Sequence, residues 1–230
     1  MKKKRVRCLL AQITSGFSWH NTAGWRVVET PADLVRYVTI IQPRYVFFLH
    51  WRWKVPTEIL QLTECVGFHM TALPWGRGGS PLQNLIHMGQ RKTTLTAYQM
   101  TSKIDAGPIY LQASLDLSGS ARDIYGRANE RAMQMAQQIV EHNAFPPTPQ
   151  RALRKTDVVF KRRQPHESVL PGKATPKQLY DHIRMLDADG YPHAFADAGP
   201  WRITFTDAEC DGREVTARAT FHRIRSRYVP

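Results

Sequence analysis

Short apolar runs alternate with an amphipathic segment over the first fifty residues of the chain. The runs are rich in β-branched and aromatic residues and predict three strands, at residues 6–13, 25–29 and 44–51. Thr30 followed by Pro31 is typical of a helix start, and the apolar residues behind it share one face: Leu34, Val38 and Ile41. Strands that alternate with a helix predict a parallel, Rossmann-like sheet of the α/β class.

The same alternation continues to residue 150. Further strands are predicted at residues 65–70, 93–101 and 108–115, with a helix at 80–88 between the first two. Ser120, followed by Asp123, predicts the cap of a long helix that ends near residue 142. The proline-rich run at 145–149 then closes a domain that we place at residues 1–150.

Residues 151–230 are less regular and predict a small C-terminal α+β extension. Its expected elements are a strand at 157–161, a helix at 175–186 and a hairpin formed by 201–206 and 214–222. The predicted fold class is therefore α/β, a Rossmann-like and mostly parallel sheet that is followed by this extension.

The chain carries a formal net charge of +13, although its composition is otherwise that of an ordinary globular protein. The positive electrostatic field of such a charge attracts anionic partners. Nucleic acid is nevertheless not the partner that we expect, because the basic residues are spread along the chain and form neither one basic helix nor an aromatic RNA-binding signature. Phosphorylated or polyglutamylated small molecules could use the same field.

The cysteines and the N-terminal residues indicate a cytoplasmic protein. Cys8, Cys65 and Cys210 are odd in number, distant in sequence and set in apolar contexts, so reduced thiols are expected. The basic residues 2–5 precede an apolar run that Arg7 interrupts, and no small-residue cleavage site follows it. No segment approaches the roughly 18 apolar residues of a membrane span, so no membrane partner is expected.

A histidine and an aspartate are the first candidates for chemistry. The predicted strand at 65–70 delivers His69 to the sheet edge where open α/β sheets place their ligands. Asp105 lies in an Asp-Ala-Gly-Pro turn between the next two strands. In a shared cleft the imidazole can stabilise an oxyanion or move a proton, and the carboxylate can orient the ring, stabilise its protonated form or relay protons.

The segments that contain these two residues resemble a known enzyme family. They are residues 68–84, FHMTALPWGRGGSPLQN, and residues 102–110, SKIDAGPIY. They resemble the catalytic core of the enzymes that transfer a formyl group from 10-formyltetrahydrofolate to an amine. The matching positions are His69, the Leu73-Pro74 turn, Arg77-Gly78, and Asp105 with Gly107.

The pattern is most similar to that of small sugar-amine N-formyltransferases of the pseudaminic-acid type. Residues 160–168 and 183–195 resemble the C-terminal extension of sugar-modifying members. The similarity runs from about residue 44 to residue 195, which implies an abbreviated N-terminal half of the Rossmann-like sheet. It also implies catalytic roles for His69 and Asp105.

One position departs from the family pattern. The family has an asparagine two residues before the histidine, and this chain has Gly67 there. Glycine has no side chain with which to bind the formyl oxygen. Asn84, on the predicted helix whose N-terminus faces the cleft, is the residue that we expect to replace it, and a helix-surface amide is the alternative for Asn84.

The resemblance also implies where the substrates bind. The expected folate-binding residues come from two segments: Trp53, Lys54 and Val55, and Met100, Thr101, Ser102, Lys103 and Ile104. The loop of Arg77, Gly78, Gly79 and Ser80 is expected on the acceptor side. As an alternative, that loop could be read as a phosphate cradle, but it lacks the Gly-Lys-Ser/Thr ending of one.

Two further expectations concern the backbone and metals. A cis peptide bond is expected at Leu73-Pro74, because the family turns at this position and the chain must reverse just after the histidine strand. No catalytic metal is expected, since His50, His69 and His87 fall on different predicted elements without zinc spacing.

The implied function is transfer of a formyl group from 10-formyltetrahydrofolate to the amine of a nucleotide-linked aminodeoxy sugar, in the synthesis of a surface glycan. Folate and this sugar nucleotide are the expected partners. The sequence is also compatible with a homo-oligomer. A methionyl-tRNA formyltransferase is the first alternative, which the charge favours and the short C-terminal region disfavours. A purine-pathway formyltransferase and a non-catalytic folate or nucleotide-sugar binding protein are the others.

Overall fold

The alternating strands and helices of the first half form one sheet, which a computed structural model describes for residues 8–12, 25–142 and 146–224. The strands are β1 (Cys8–Gln12), β2 (Arg26–Val28), β3 (Tyr45–Leu49), β4 (Glu64–His69), β5 (Arg77–Gly78), β6 (Lys92–Gln99), β7 (Ile109–Asp116), β8 (Val159–Phe160), β9 (Ala194–Ala198), β10 (Trp201–Cys210) and β11 (Val215–Arg223). The helices are α1 (Pro31–Ile41), α2 (Thr57–Leu62), α3 (Pro81–His87), α4 (Ala121–Glu141) and α5 (Pro176–Arg184).

The main sheet has the strand order β2-β1-β3-β4-β6-β7. Strands β1 to β4 pair in parallel, whereas β6 and β7 pair antiparallel to their neighbours. A second, antiparallel sheet of order β11-β10-β9 forms the C-terminal part. The predicted α/β class, with a mostly parallel sheet and a small C-terminal extension, is confirmed.

Both faces of the parallel strands are covered, which explains their continuous apolar sequences. Every residue of β1 and of β3 is buried. Because successive side chains point to opposite faces, Leu10 and Phe47 belong to one core cluster, and Leu9 and Val46 belong to another. Helices α3 and α4 complete the first cluster, and α1 and α2 complete the second.

The predicted helix starts are confirmed by their caps. The Thr30 hydroxyl accepts a hydrogen bond from the backbone nitrogen of Asp33 at 3.1 Å, and Pro31 opens α1. Ser120 and Asp123 form a reciprocal capping box at the start of α4. These local signals fix where each helix begins, and its buried face then sets how it packs on the sheet.

The sequence patterns do not predict α2, β5 or β9. Helix α2 has six residues, too few for a helical period to be visible. Strand β5 has two residues and exists because it pairs with β8, more than eighty residues later. Since this pairing crosses residue 150, it joins the two halves of the chain at the loop that follows His69. The domain division at residue 150 stays a prediction.

Several expectations fall outside the described residues. They concern the basic N-terminal residues 1–5, the ends of the strand expected at 6–13, and Phe145 in the proline-rich run. None of the described helices combines the length and the apolar character that a membrane crossing requires.

Candidate active site

His69 is the last residue of β4 and lies at the carboxyl end of the parallel strands. Its side chain is buried. Its Nε2 donates a hydrogen bond to the carbonyl oxygen of Gly76 at 2.7 Å, and its Nδ1 lies 3.8 Å from Oδ2 of Asp105. The histidine and the aspartate that the sequence singles out are therefore brought together.

Asp105 lies in the turn between β6 and β7 with a φ of +51°. This left-handed region is open to few residues besides glycine, asparagine and aspartate. The buried carboxylate accepts a hydrogen bond at each oxygen: the Tyr98 hydroxyl donates to Oδ1 at 2.8 Å, and the Gly78 backbone nitrogen donates to Oδ2 at 2.9 Å. The two donors hold the carboxylate in one orientation, with Oδ2 toward His69.

Both nitrogens of the His69 ring face oxygen atoms. Because Nε2 already donates to the Gly76 carbonyl, the ring can take up a second proton at Nδ1 without losing that hydrogen bond. The carboxylate of Asp105 then compensates the positive charge in a buried setting. This arrangement can accept a proton from a nucleophile and pass it on.

The chain reverses after β4 through the Leu73-Pro74 peptide bond, which is cis as predicted. Gly76 and Gly78 follow with φ values of +74° and +108°. A Cβ on Gly78 would lie 2.1 Å from the carbonyl oxygen of Phe160, so only glycine fits at this position. The loop is therefore clamped between Asp105 on one side and β8 on the other.

The polar groups of the acceptor-side loop are already engaged within the protein. The Gly79 backbone nitrogen donates to the carbonyl oxygen of Phe160 at 3.1 Å. The Ser80 hydroxyl oxygen accepts from the Arg163 backbone nitrogen at 3.1 Å and from the Tyr191 hydroxyl at 3.0 Å. With Gly78 bonded to Asp105 as well, the alternative of a phosphate cradle is not favoured.

Gln150 is a residue that sequence reasoning missed, because no local pattern marks it. Its amide nitrogen donates to the backbone carbonyls of Asp105 at 3.0 Å and Gly107 at 2.7 Å. Its amide oxygen accepts from the Arg77 guanidinium, with the shorter contact at 2.6 Å. Gln150 thus bridges the loop after β4 and the turn that holds Asp105. A cleft of about 470 Å³ opens beside this bridge, lined by Leu73, Pro74, the start of β7 and residues 148–151.

The side-chain amide of Asn84 is engaged with the protein backbone. Its amide nitrogen donates to the backbone carbonyls of Gly79 at 3.0 Å and Lys161 at 3.2 Å. Both donors of the amide are therefore used to hold the loop against the C-terminal half. This arrangement favours a bracing role for Asn84, and its expected role as a substitute for the family asparagine stays a prediction.

Gly67 lies opposite Tyr98 in the pairing of β4 with β6. A Cβ on Gly67 would lie 2.9 Å from two carbons of the Tyr98 ring and 3.0 Å from its hydroxyl oxygen. Side chains at positions 67 and 69 share one face of the strand. The tyrosine ring therefore fills the space beside His69 into which a side chain at position 67 would project.

The expected folate-binding residues differ in exposure. The Val55 side chain is buried in a core cluster, so the backbone is the part of this residue that can face a ligand, and its expected contribution stays a prediction. Trp53 packs edge-on against Trp51 at a centroid distance of 4.9 Å and is partly exposed. The residues of the second segment run from the half-buried Met100 to the exposed Thr101, Ser102, Lys103 and Ile104.

Two observations in these segments fit a largely flat, partly apolar ligand. Ile104 is 79% exposed beside the buried Asp105. An apolar ligand bound here would cover this exposed side chain. The Trp51 indole nitrogen is buried and lacks a hydrogen-bond partner. Lys54 is exposed and offers a positive charge at the edge of the same loop. Within the described residues, no group of three or more His, Cys, Asp or Glu side chains could hold a metal ion.

Comparison with known proteins identifies what this chain is similar to. Residues 165–222 match the family model described as the C-terminal domain of methionyl-tRNA formyltransferase. The methionyl-tRNA formyltransferase of Bacillus mycoides is 25% identical over 176 residues, which are 74% of this chain and 52% of that protein. The chain spans about half or less of the length of the curated relatives it matches.

Solved structures extend the similarity over most of the chain. The structure of methionyl-tRNA formyltransferase from Clostridium thermocellum is 33% identical, with a TM-score of 0.85, and the match covers 94% of this chain and 99% of that one. A likely sugar N-formyltransferase from Mycobacterium tuberculosis is 17% identical, with a TM-score of 0.64 over 95% of this chain and 97% of that one, and shares the fold. On the strength of the first match, this chain belongs to the formyltransferase family.

Proposed function

We propose that this protein transfers a formyl group from 10-formyltetrahydrofolate to an amine. The observation that carries the proposal is the buried arrangement of His69 and Asp105 beside the loop that contains Gly78. The membership of the chain in the formyltransferase family supports the same reaction.

10-Formyltetrahydrofolate supplies the formyl carbon: its bond to N10 is replaced by a bond to the amine nitrogen, while one proton leaves the amine and one joins N10. His69 takes up the amine proton at Nδ1 and keeps its hydrogen bond to Gly76. Asp105 stabilises the charged ring through Oδ2. Burial of both groups keeps water away from this proton transfer and strengthens their interaction.

The folate is proposed to bind between the loop of residues 50–56 and the segment of residues 100–105. The exposed Ile104 and the partly exposed Trp53 offer apolar and aromatic surface. The unpartnered indole nitrogen of Trp51 and the backbone groups of the second segment offer polar contacts. Lys54 and Lys103 could pair with the carboxylates of a glutamyl tail.

A nucleotide-linked aminodeoxy sugar is the first proposed acceptor. Lys161 and Arg162 are exposed and lie against the acceptor-side loop, where a Cβ on Gly79 would lie 2.6 Å from the Cα of Arg162. Two positive side chains at that place suit the pyrophosphate of a sugar nucleotide. The cleft beside Gln150 has the volume of a small-molecule site. The resemblance of residues 160–168 to the extension of sugar-modifying enzymes supports the same acceptor.

An aminoacyl-tRNA is the second candidate, and the C-terminal sheet is the observation that favours it. Its edge strand β11 is exposed along nearly its whole length and carries Arg218, Phe221 and Arg223. Trp201, the cross-strand partner of Arg223, is also exposed. Basic side chains next to exposed aromatic rings are typical of surfaces that bind single-stranded nucleic acid. Together with relatives named for methionyl-tRNA, this surface weakens the expectation that nucleic acid is not a partner.

The test incubates the protein with 10-formyltetrahydrofolate and either a panel of nucleotide-linked amino sugars or initiator methionyl-tRNA. Mass spectrometry of the acceptor then reports whether a formyl group has replaced a hydrogen on the amine. We expect one acceptor class to be formylated by the wild-type protein and not by His69→Ala. Folate that raises the melting temperature without formylation of any acceptor would favour the non-catalytic binding protein instead.

A further inference from the structure

Tyr98 is bonded to the proposed catalytic pair and is not explained by core packing alone. Its ring is 7% exposed and stands across from Gly67, and its hydroxyl donates to Oδ1 of Asp105 at 2.8 Å. A buried tyrosine hydroxyl needs a hydrogen-bond partner, and the partner of this one is the carboxylate of the proposed catalytic pair. The hydroxyl therefore has a specific partner within the site.

The tyrosine and the glycine opposite it depend on each other. No Cβ can be added at position 67 without moving the Tyr98 ring, because it would lie 2.9 Å from that ring. The ring in turn is fixed by its bond to Asp105 and by its antiparallel pairing on β6. The Tyr98 hydroxyl can therefore reach Asp105 because position 67 has no side chain in its way.

The Tyr98 hydroxyl is suited to donate its hydrogen bond at every pH at which the protein works. Burial, followed by the negative charge of Asp105, holds the pKa of Tyr98 well above its usual range. The hydroxyl therefore keeps its proton over the whole working pH range and donates to Oδ1. With Gly78 on Oδ2, the carboxylate cannot rotate, and Oδ2 stays 3.8 Å from His69 Nδ1.

We propose that Tyr98 is a positioning residue of the formyl transfer, which acts through Asp105 and occupies the place beside His69 that Gly67 leaves open. This inference rests on the proposed function. It places Tyr98, Asp105 and His69 in one series of contacts: the Tyr98 hydroxyl orients the Asp105 carboxylate through a hydrogen bond, and the carboxylate faces the His69 ring at 3.8 Å. The side chain that supports the reaction at this end of the sheet comes from β6 rather than from β4.

The test compares Tyr98→Phe with Tyr45→Phe. The first variant keeps the ring in the space beside Gly67 and removes only the donor to Asp105. Tyr45 is also a buried core tyrosine, but it lies at the opposite end of the parallel strands and stacks on Arg44. We expect Tyr98→Phe to lower kcat by roughly tenfold or more while KM for 10-formyltetrahydrofolate changes little, since a positioned donor acts in the transition state. Tyr45→Phe should retain wild-type kcat.

A double-mutant cycle separates positioning from stability. In the Asp105→Asn background, Tyr98→Phe should cause no further loss of kcat, because its effect passes through the carboxylate. Gly67→Ala provides a second route, since it should displace the intact tyrosine and also lower kcat. Melting temperatures recorded for each variant show that the protein measured is folded.

The outcomes separate this inference from the proposed function. Wild-type kcat in Tyr98→Phe, or a loss that multiplies with that of Asp105→Asn, would overturn the positioning role and leave the proposed function in place. Absence of formylation by the wild-type protein with every acceptor would overturn the proposed function and this inference with it.

Discussion

The backbone nitrogen of Gly78 donates a hydrogen bond to Oδ2 of Asp105 at 2.9 Å, the same oxygen that faces His69. The loop after β4 and the turn after β6 are thereby joined at a single atom. Because a Cβ at position 78 would collide with the carbonyl of Phe160, the C-terminal half of the chain fixes this loop in turn. The geometry of the proposed catalytic pair therefore depends on contacts far from it in sequence.

Removal of the histidine should abolish most turnover. We expect His69→Ala to lower kcat by about a hundredfold or more, the effect of losing one positioned polar group worth roughly 2.7–4 kcal/mol in the transition state. Asp105→Asn should lose a comparable amount while it still binds folate through the backbone of its turn. Steady-state formylation, together with folate binding followed by fluorescence, measures both effects. Unchanged kcat in His69→Ala would remove this histidine from the mechanism.

Gly67→Ala tests the space beside Tyr98 through stability. The added Cβ would lie 2.9 Å from a buried ring, and such overpacking costs about 1–3 kcal/mol of unfolding free energy. Gly126→Ala is the matched control, because its Cβ on α4 would meet nothing within 4 Å. Alanine within a helix should stabilise that variant by up to about 1 kcal/mol. Denaturant unfolding of both variants measures the difference, and equal stabilities would contradict the packing described.

Asn84→Ala tests the bracing role of this amide. Two hydrogen bonds to the backbone of Gly79 and Lys161 would be lost, each worth about 0.5–1.5 kcal/mol. Asn84→Asp should destabilise more, because it places a carboxylate against two carbonyl oxygens. Thermal unfolding ranks the variants. Wild-type stability in both, combined with a large loss of kcat, would return Asn84 to the formyl-binding role that the sequence suggested.

The stability of the protein should fall as the solution becomes mildly acidic. Burial, and to a lesser degree the charges of Arg163 and His87, lower the pKa of His182, and burial also lowers the pKa of His50. In the unfolded chain a histidine takes up its proton near pH 6.5, whereas the folded chain resists protonation until lower pH. The free energy of unfolding is therefore full above about pH 6.5 and declines below it.

The measurement is denaturant unfolding at about pH 7.5 and about pH 5.5. His182→Gln should reduce the difference between the two values, and the part due to His50 should remain. An identical pH dependence in wild type and His182→Gln would show that folding does not change the pKa of this histidine.

The local sequence was enough to predict most strands of the main sheet. Apolar runs buried on both faces predict β1, β3 and β4, and the Thr30 and Ser120 caps predict where α1 and α4 begin. His69 at the end of β4 and Asp105 on a tight turn are likewise local features. That they meet was implied by the family resemblance, because β6 runs antiparallel to β4 and the rule for parallel strands does not place the turn that follows β6. The periodicity of the chain and its turn residues act over a few residues, which is why these elements could be predicted.

Only the tertiary structure decided what surrounds the pair. The phenol of Tyr98, the amide of Gln150 and the pairing of β5 with β8 come from positions that no pattern near His69 indicates. The same holds for Asn84, whose donors are taken by carbonyls that folding brings to it. Hydrogen bonds and close packing between distant segments depend on where strands come to lie side by side, and a single sequence does not state this. The sequence by itself determined the histidine, the aspartate and the sheet that presents them, whereas the fold decided that a tyrosine from the neighbouring strand stands where Gly67 leaves room.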